Sequence, residues 1–195
     1  MKKRIFLASA SPRRRQLLED GGYNVILVKS TYEESNNFTM PPADLVMLQA
    51  GEKAKAAILP EALNIGCADE ETALVIGADT VVVLGDLILG KPRDSKDAIR
   101  MLESLSGRSH SVLTGVAIRY GDMTDIFYAE TVITFKNLTT TEITDYVSTG
   151  SPLDKAGAYG LQDIGKLWAT AVTGSFTNVV GLPMEDIEKR IALLM

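Results

Sequence analysis

The chain has one cysteine, Cys67, and one histidine, His110, among its 195 residues. A single cysteine excludes an intramolecular disulfide and any cysteine-cluster zinc site. A single histidine excludes metal centres built on several histidines and acid–base schemes that need two. With no G-x-S-x-G in the chain, a serine triad has no support either. No run approaches 18 apolar residues, so no membrane span is read in the sequence. Basic residues are not in excess: 20 Lys and Arg stand against 25 Asp and Glu, a net charge of −5. Nonspecific nucleic-acid binding is therefore not expected, and basic residues do not interleave with aromatics. Internal repeats, low-complexity tracts and Pro/Gly/Ser linkers are also lacking, so residues 1–195 read as one domain.

The chain is 46% apolar and 23% charged. That is the composition of a globular protein able to bury a full core without staples. Residues 1–15 hold six basic groups and no acid. The stretch between them, Ile5 to Pro12, is too short and too polar for the apolar segment of a signal peptide. The expected location is the cytoplasm.

Short apolar runs alternate with helical patterns, which predicts an α/β fold: a mixed sheet with helices on its faces. Strands are expected over Ile5–Ala8, Ala73–Leu84, Val112–Tyr120, Ile126–Phe135 and Leu167–Val172. Gly85-Asp86 predicts a tight turn into Leu87–Leu89. Helices are expected over Pro12–Asp20, from Pro41-Pro42 to about Leu59, over Asp94–Leu105, from Thr139 to near Gly150, and over Met184–Leu194. Asp94 is the expected cap of the third, and Thr139 with Glu142 has capping-box spacing. Residues 60–72 read as a surface loop, and Gly150–Gly165 as a glycine-rich stretch.

Six places carry chemical potential. In Ser9-Ala10-Ser11-Pro12-Arg13-Arg14-Arg15, Ser11 suits an N-cap and Pro12 the first helical position. Three arginines then crowd the positive end of the helix dipole, a conflict that a bound phosphate relieves. Arg13 shares a face with Leu17 and Arg14 with Leu18, so the three fan apart and cannot all reach one ligand. Asp79, within Gly77-Ala78-Asp79-Thr80, places a carboxylate in the middle of an apolar strand, where it must be paired, metal-bound or facing a cleft. Gly77, on the same strand face, is expected to leave room for a ligand. Lys53 lies at the edge of an apolar helical stripe and either snorkels outward or reaches a ligand. Gly85–Lys91 matches the start of a P-loop, but Pro92 stands where Ser or Thr would bind magnesium, and Leu87-Ile88-Leu89 suits a strand. Lys91 can still meet a phosphate as a point charge. In Asp154–Gln162, two glycines permit close approach of a ligand, and Gln162 offers the donor and acceptor that suit a base edge. Glu33-Glu34 offers oxygen ligands to a magnesium-like cation. His110 reads as structural.

Six segments together resemble the Maf family of nucleoside triphosphate pyrophosphatases. They are Leu7–Arg14, Gly77–Val82, Gly90-Lys91-Pro92, Leu105–His110, Asp154–Gln162 and Gly174–Pro183. The resemblance implies a two-lobed α/β fold, related to the inosine-triphosphatase architecture, with a cleft between the lobes. It implies divalent-metal-dependent cleavage, with Mg²⁺ or Mn²⁺, of a nucleoside triphosphate to the monophosphate and pyrophosphate. It assigns Asp79 as general base, and Arg13, Thr80 and Gln162 as marks of the branch acting on dTTP, UTP and modified pyrimidine triphosphates. Ser9, Lys53 and Lys91 would handle phosphate, and Glu33 or Glu34, with Asp79, would hold the metal. A homodimer is implied. A sister branch prefers 7-methylguanosine triphosphate, and the family's link to septum formation allows a regulator that binds nucleotide without turnover. Thr80 and Gln162 favour the pyrimidine branch. If β-strand alternation is regular, Thr80 points away from Asp79, a tension with both serving one site.

Overall fold

A computed structural model describes residues 3–33, 40–60 and 73–194. Its seven strands are β1 (Arg4–Ala8), β2 (Asn24–Leu27), β3 (Leu74–Leu84), β4 (Leu87–Leu89), β5 (Ser109–Tyr120), β6 (Met123–Phe135) and β7 (Ala169–Thr173). The helices are α1 (Pro12–Asp20), α2 (Pro42–Lys55), α3 (Ser95–Leu105), α4 (Thr140–Ser148), α5 (Leu161–Trp168), α6 (Phe176–Val180) and α7 (Met184–Leu194). The strands form one mixed sheet of order β2-β1-β3-β5-β6-β7, with β4 pairing β3 off this path. The expected α/β class with helices flanking a mixed sheet is what the chain forms.

The chain divides into two compact units. One comprises Met1–Asp79, Thr114–Ala129 and Gly181–Met195; the other comprises Thr80–Leu113 and Glu130–Val180.

In the first unit, β1 runs parallel to both β2 and β3, with Ile5 opposite Leu74 and Ala8 opposite Gly77. Parallel neighbours need crossover connections, and α1 supplies the one from β1 to β2. The chain leaves β1 on one side for β2 and later returns on the other side as β3. β1 is therefore a switch point, where ligands of open α/β sheets gather beyond the carboxyl ends of the strands. Side chains alternate as the pleat requires. Ile5, Leu7, Leu74, Ile76 and Ala78 join Leu18 of α1 and Ile187 and Ile191 of α7 in one buried cluster. Phe6 and Val75 face the other way, against Ala50 and Ala54 of α2.

Helix α2 lies flush on its face of the sheet. A methyl group on Gly77 would strike the Ala50 carbonyl and come within 2.6 Å of the Ala54 nitrogen. One on Gly115 would strike the Val46 carbonyl and come within 2.7 Å of the Met47 nitrogen. Gly77 thus makes room for a helix backbone, which corrects the expectation that it makes room for a ligand. Helix α2 also ends at Lys55, short of Leu59. The backbone of 56–58 instead pairs with 29–31: Thr31 N donates to Ala56 O and Ile58 N to Lys29 O. These bonds take up the groups that would have continued the helix.

In the second unit, Val82, Leu84 and Leu89 of the β3–β4 hairpin pack with Leu102 and Leu105 of α3, Phe135 of β6, Ile143 and Val147 of α4, and Leu161, Ile164 and Trp168 of α5. Asp94 caps α3, accepting from Asp97 N at 2.8 Å. Thr139 and Glu142 close the capping box of α4. Leu87–Leu89 is a strand paired with β3, so no phosphate-wrapping loop forms at Gly85–Lys91. The glycine-rich stretch is more ordered than its composition indicates: 3-10 turns at Ser151–Asp154 and Ala156–Ala158 lead into α5. Of the sequence expectations, Glu34, most of the 60–72 loop, Cys67 and Lys2 lie outside the described residues.

Candidate active site

Ser9 follows the carboxyl end of β1, and Asp79 lies within β3, two residues past Gly77, the partner of Ala8. Asp79 is 7% exposed and Lys53 is also 7% exposed. The Lys53 ammonium donates to Asp79 Oδ1 at 2.8 Å and approaches the Ala78 carbonyl at 3.4 Å. A carboxylate in an apolar strand is expensive unless a counter-charge meets it. Here α2 brings that charge, because Gly77 lets the helix settle against β3. Lys53 therefore does not simply snorkel to water.

The arginine triplet separates as its helical spacing predicts. Arg15 is exposed and pairs with Glu19 at 2.7 Å, one turn along α1. Arg13 is half-buried on the first turn. Arg14 is buried, on the face that also buries Leu18. Its Nε donates to the Gly181 carbonyl at 3.0 Å, and its Nη1 donates to Ser9 Oγ at 3.1 Å and to the Ala78 carbonyl at 2.9 Å. The Ala78 carbonyl is thus shared by two cations, and Arg14 ties Ser9 to the strand that carries Asp79. Sequence reasoning gave Arg14 no role. The signal was its i,i+4 relation to Leu18, which marks an inward-facing position. The buried group holds two positive charges and one negative, a surplus that suits an anionic ligand.

Ser11 caps α1, accepting from Arg14 N at 3.4 Å, and no acid occupies the first turn. The amides there and the Ser9 hydroxyl are donors of the kind that meet phosphate. Glu33 is exposed in the segment after β2. No group of three or more His, Cys, Asp or Glu placed to hold a metal occurs among the described residues.

The second unit carries the other expected residues. Thr80, next in β3 after Asp79, is half-buried. Lys91 is exposed in a bend after β4. Gln162 is exposed in the first turn of α5, not in a loop. The 3.6-residue spacing of Leu161, Ile164 and Trp168 was the signal for that helix; Gly160 and Gly165 obscured it. His110 is buried, 2.8 Å from the Tyr159 hydroxyl and edge-on to Phe135. Burial pushes its pKa down to about 4, against a weaker opposing effect of the Arg108 backbone. Burial likewise drives the Tyr159 hydroxyl upward. A neutral, enclosed imidazole is a packing group, in keeping with the structural reading. Asn178 holds the second unit's interior, donating to the Val112 carbonyl at 3.1 Å and to Thr131 Oγ1 at 3.0 Å.

The family model described as Maf-like protein matches residues 4–193. A protein of Geobacillus sp. (strain WCH70) named dTTP/UTP pyrophosphatase is 43% identical over 193 residues, covering 98% of each chain. One of the same name from Moorella thermoacetica is 44% identical over 192 residues, 97% of this chain and 94% of its own. Another, from Bacillus pumilus, is 42% identical over 180 residues, 92% and 90% of the two chains.

Proposed function

The chain belongs to the Maf-like family, and from that premise we propose that it is a nucleoside triphosphate pyrophosphatase acting on dTTP and UTP. The relatives named for that activity match it along nearly their whole length. The observation that carries the reading is the buried Asp79 carboxylate paired with Lys53, next in the strand to the Ala78 carbonyl that Arg14 holds.

The reaction adds water across the α–β phosphoanhydride. Water oxygen bonds to phosphorus as the bridging P–O bond breaks, and the products are the monophosphate and pyrophosphate. Asp79 orients the water and takes its proton. Ser9, Lys53 and Lys91 offer donors to the phosphates, with the first turn of α1 beside Ser9. Arg14 holds Ser9 and the Asp79 strand in place. Arg13, Thr80 and Gln162 select the pyrimidine base.

The donor set fits a hard divalent cation. Asp79 offers carboxylate oxygen, and magnesium commonly uses one or two carboxylates together with substrate phosphates. Asp79, with Glu33 or Glu34, would hold Mg²⁺ or Mn²⁺, which offsets phosphate charge when bound. Modified pyrimidine triphosphates, a homodimeric assembly and a cytoplasmic location belong to the same proposal.

The test is pyrophosphate release from dTTP, UTP, GTP and 7-methylguanosine triphosphate with each metal in turn. Turnover of the two pyrimidine nucleotides, abolished in Asp79→Asn, is expected. Preference for 7-methylguanosine triphosphate would move the chain to the sister branch. Tight nucleotide binding without product would make it a regulator, and full activity in Asp79→Asn would end the mechanism.

A further inference from the structure

The second unit buries a cation that the reaction above does not use. Lys155 is 8% exposed. Its ammonium donates to the Ser151 carbonyl at 2.5 Å, to Ser151 Oγ at 3.0 Å and to Asp154 Oδ1 at 2.9 Å, and lies 3.6 Å from Asp163 Oδ2. Asp163 Oδ2 also accepts from the Tyr146 hydroxyl at 3.1 Å and from Ser151 Oγ at 2.9 Å. The Tyr146 hydroxyl accepts in turn from Gly160 N at 3.1 Å. Asp163 and Gly160 tie this network to the start of α5, while Ser151 and Asp154 hold the ammonium from the preceding turn.

That start needs outside support. Its N-cap is Gly160, and no side chain caps it. Asp163, third residue of the helix, is the group through which Lys155, Ser151 and Tyr146 fasten the first turn. Gly160 has an ordinary φ of −117°, so its lack of a side chain serves space rather than backbone freedom. A methyl there would lie 2.8 Å from Lys155 Cε and 2.9 Å from Asp163 Oδ2. The approach to the helix is strained as well: Ala158, fully buried, has φ +61°, a conformation that costs energy in a residue with a side chain. Filling the Lys155 position with an apolar side chain would be cheaper than burying an ammonium. What the ion pair adds is a defined geometry for the turn that presents Gln162. The same stretch also reaches the residue before Lys91, since Gly157 N donates to the carbonyl of Gly90 at 3.0 Å.

We propose that Lys155 is a positioning residue: through Asp163 it sets the direction of Gln162, and so governs which base the enzyme accepts. The proposal rests on the reading of Gln162 as a base-contacting residue. It concerns selectivity and not the hydrolytic step.

The experiment measures kcat and KM for UTP and GTP, with melting temperatures, in Lys155→Met, Asp163→Asn, Gln162→Ala and the Lys155→Met/Gln162→Ala double variant. Gln162→Ala is expected to reduce the UTP-over-GTP ratio of kcat/KM by about tenfold, the scale of a misplaced contact. Lys155→Met and Asp163→Asn are expected to reduce it to a similar degree through KM for UTP, with kcat within about threefold. Adding Gln162→Ala to Lys155→Met is expected to change the ratio little further, since residues that act through one another are not additive. A purely structural role would lower turnover of both nucleotides alike and leave the ratio intact, which would overturn the proposal. Full additivity in the double variant would also overturn it. If Gln162→Ala itself leaves the ratio unchanged, the reading of Gln162 falls and the proposal with it. If only the Lys155 and Asp163 variants leave it unchanged, the proposal alone falls. Should Lys155→Met fail to fold, Asp163→Asn, which keeps the side-chain volume, decides the matter.

Discussion

Replacing Lys53 by methionine removes the counter-charge of Asp79 while keeping the volume of the side chain. Both side chains of the pair are nearly enclosed, 9% and 10% exposed, with 2.8 Å between Nζ and Oδ1. Breaking such a pair from one side strands a buried charge and costs roughly 3–5 kcal/mol. A chain of this length loses roughly 2–4 °C of Tm for each kcal/mol. Lys53→Met should therefore melt about 6–20 °C below the parent. The double variant Lys53→Met/Asp79→Asn carries no stranded charge and should recover at least half of that loss, while the role proposed for Asp79 predicts that it does not turn over substrate. Thermal melts followed by circular dichroism at pH 7 measure all four proteins of the cycle. A Lys53→Met variant within about 2 °C of the parent would refute the reasoning. So would a double variant as unstable as the two single losses combined, because either result means the pair is solvated and does not organise the site.

Three further outcomes follow from the geometry. Arg14→Lys keeps the charge but cannot reach Ser9, Ala78 and Gly181 with one ammonium, so turnover should fall at least about tenfold. Arg15→Ala, which loses only an exposed pair with Glu19, should stay within about 0.5 kcal/mol of the parent in a denaturant melt; equal effects at the two positions would contradict the assignment. Gly77→Ala should displace α2 and cost about 1–3 kcal/mol together with activity, whereas Gly85→Ala, with φ +60° and open space around it, should cost about 1 kcal/mol and leave turnover intact. His110, charged in the unfolded chain below about pH 6.5 but neutral in the fold down to about 4, binds fewer protons when folded. Stability should be fully present above pH 6.5 and fall by about 3 kcal/mol on the way to pH 4. His110→Gln should flatten that part of the stability profile, and an unchanged slope would show the imidazole to be accessible.

Local chemistry was the legible part of this fold. Pro12 and Gly21 bracket α1, Asp94 caps α3, and the Thr139–Glu142 box opens α4, each through bonds made within a few residues. Errors arose where distant groups compete for the backbone or fill a space. Helix α2 stops early because 29–31 claims the amides and carbonyls that follow it. The role of Gly77 depends on a helix packed from elsewhere, which periodicity in β3 does not reveal. At the site, the acid of β3 is legible because a carboxylate in an apolar strand demands a partner, and Lys53, at the edge of its stripe, fits either a snorkelling or a ligand-reaching role. The shared face of Arg14 and Leu18 is legible in the triplet, but the carbonyls of Ala78 and Gly181 that hold Arg14 come from distant segments.

The bond from Arg14 to Gly181 spans 167 positions of the chain, and it has a temporal meaning. The first unit draws on Met1–Asp79, Thr114–Ala129 and Gly181–Met195, so its interior closes only once the segment from Gly181 onward has been synthesised. Contacts of such long sequence separation form slowly, because the loop must be closed before the contact repays it. A nascent chain stalled before Gly181 would hold Asp79 and Lys53 but lack the carbonyl that anchors the guanidinium beside them. Competence for chemistry thus waits for Gly181, and translation products cut short of it should be inert toward the cell's nucleotide pool.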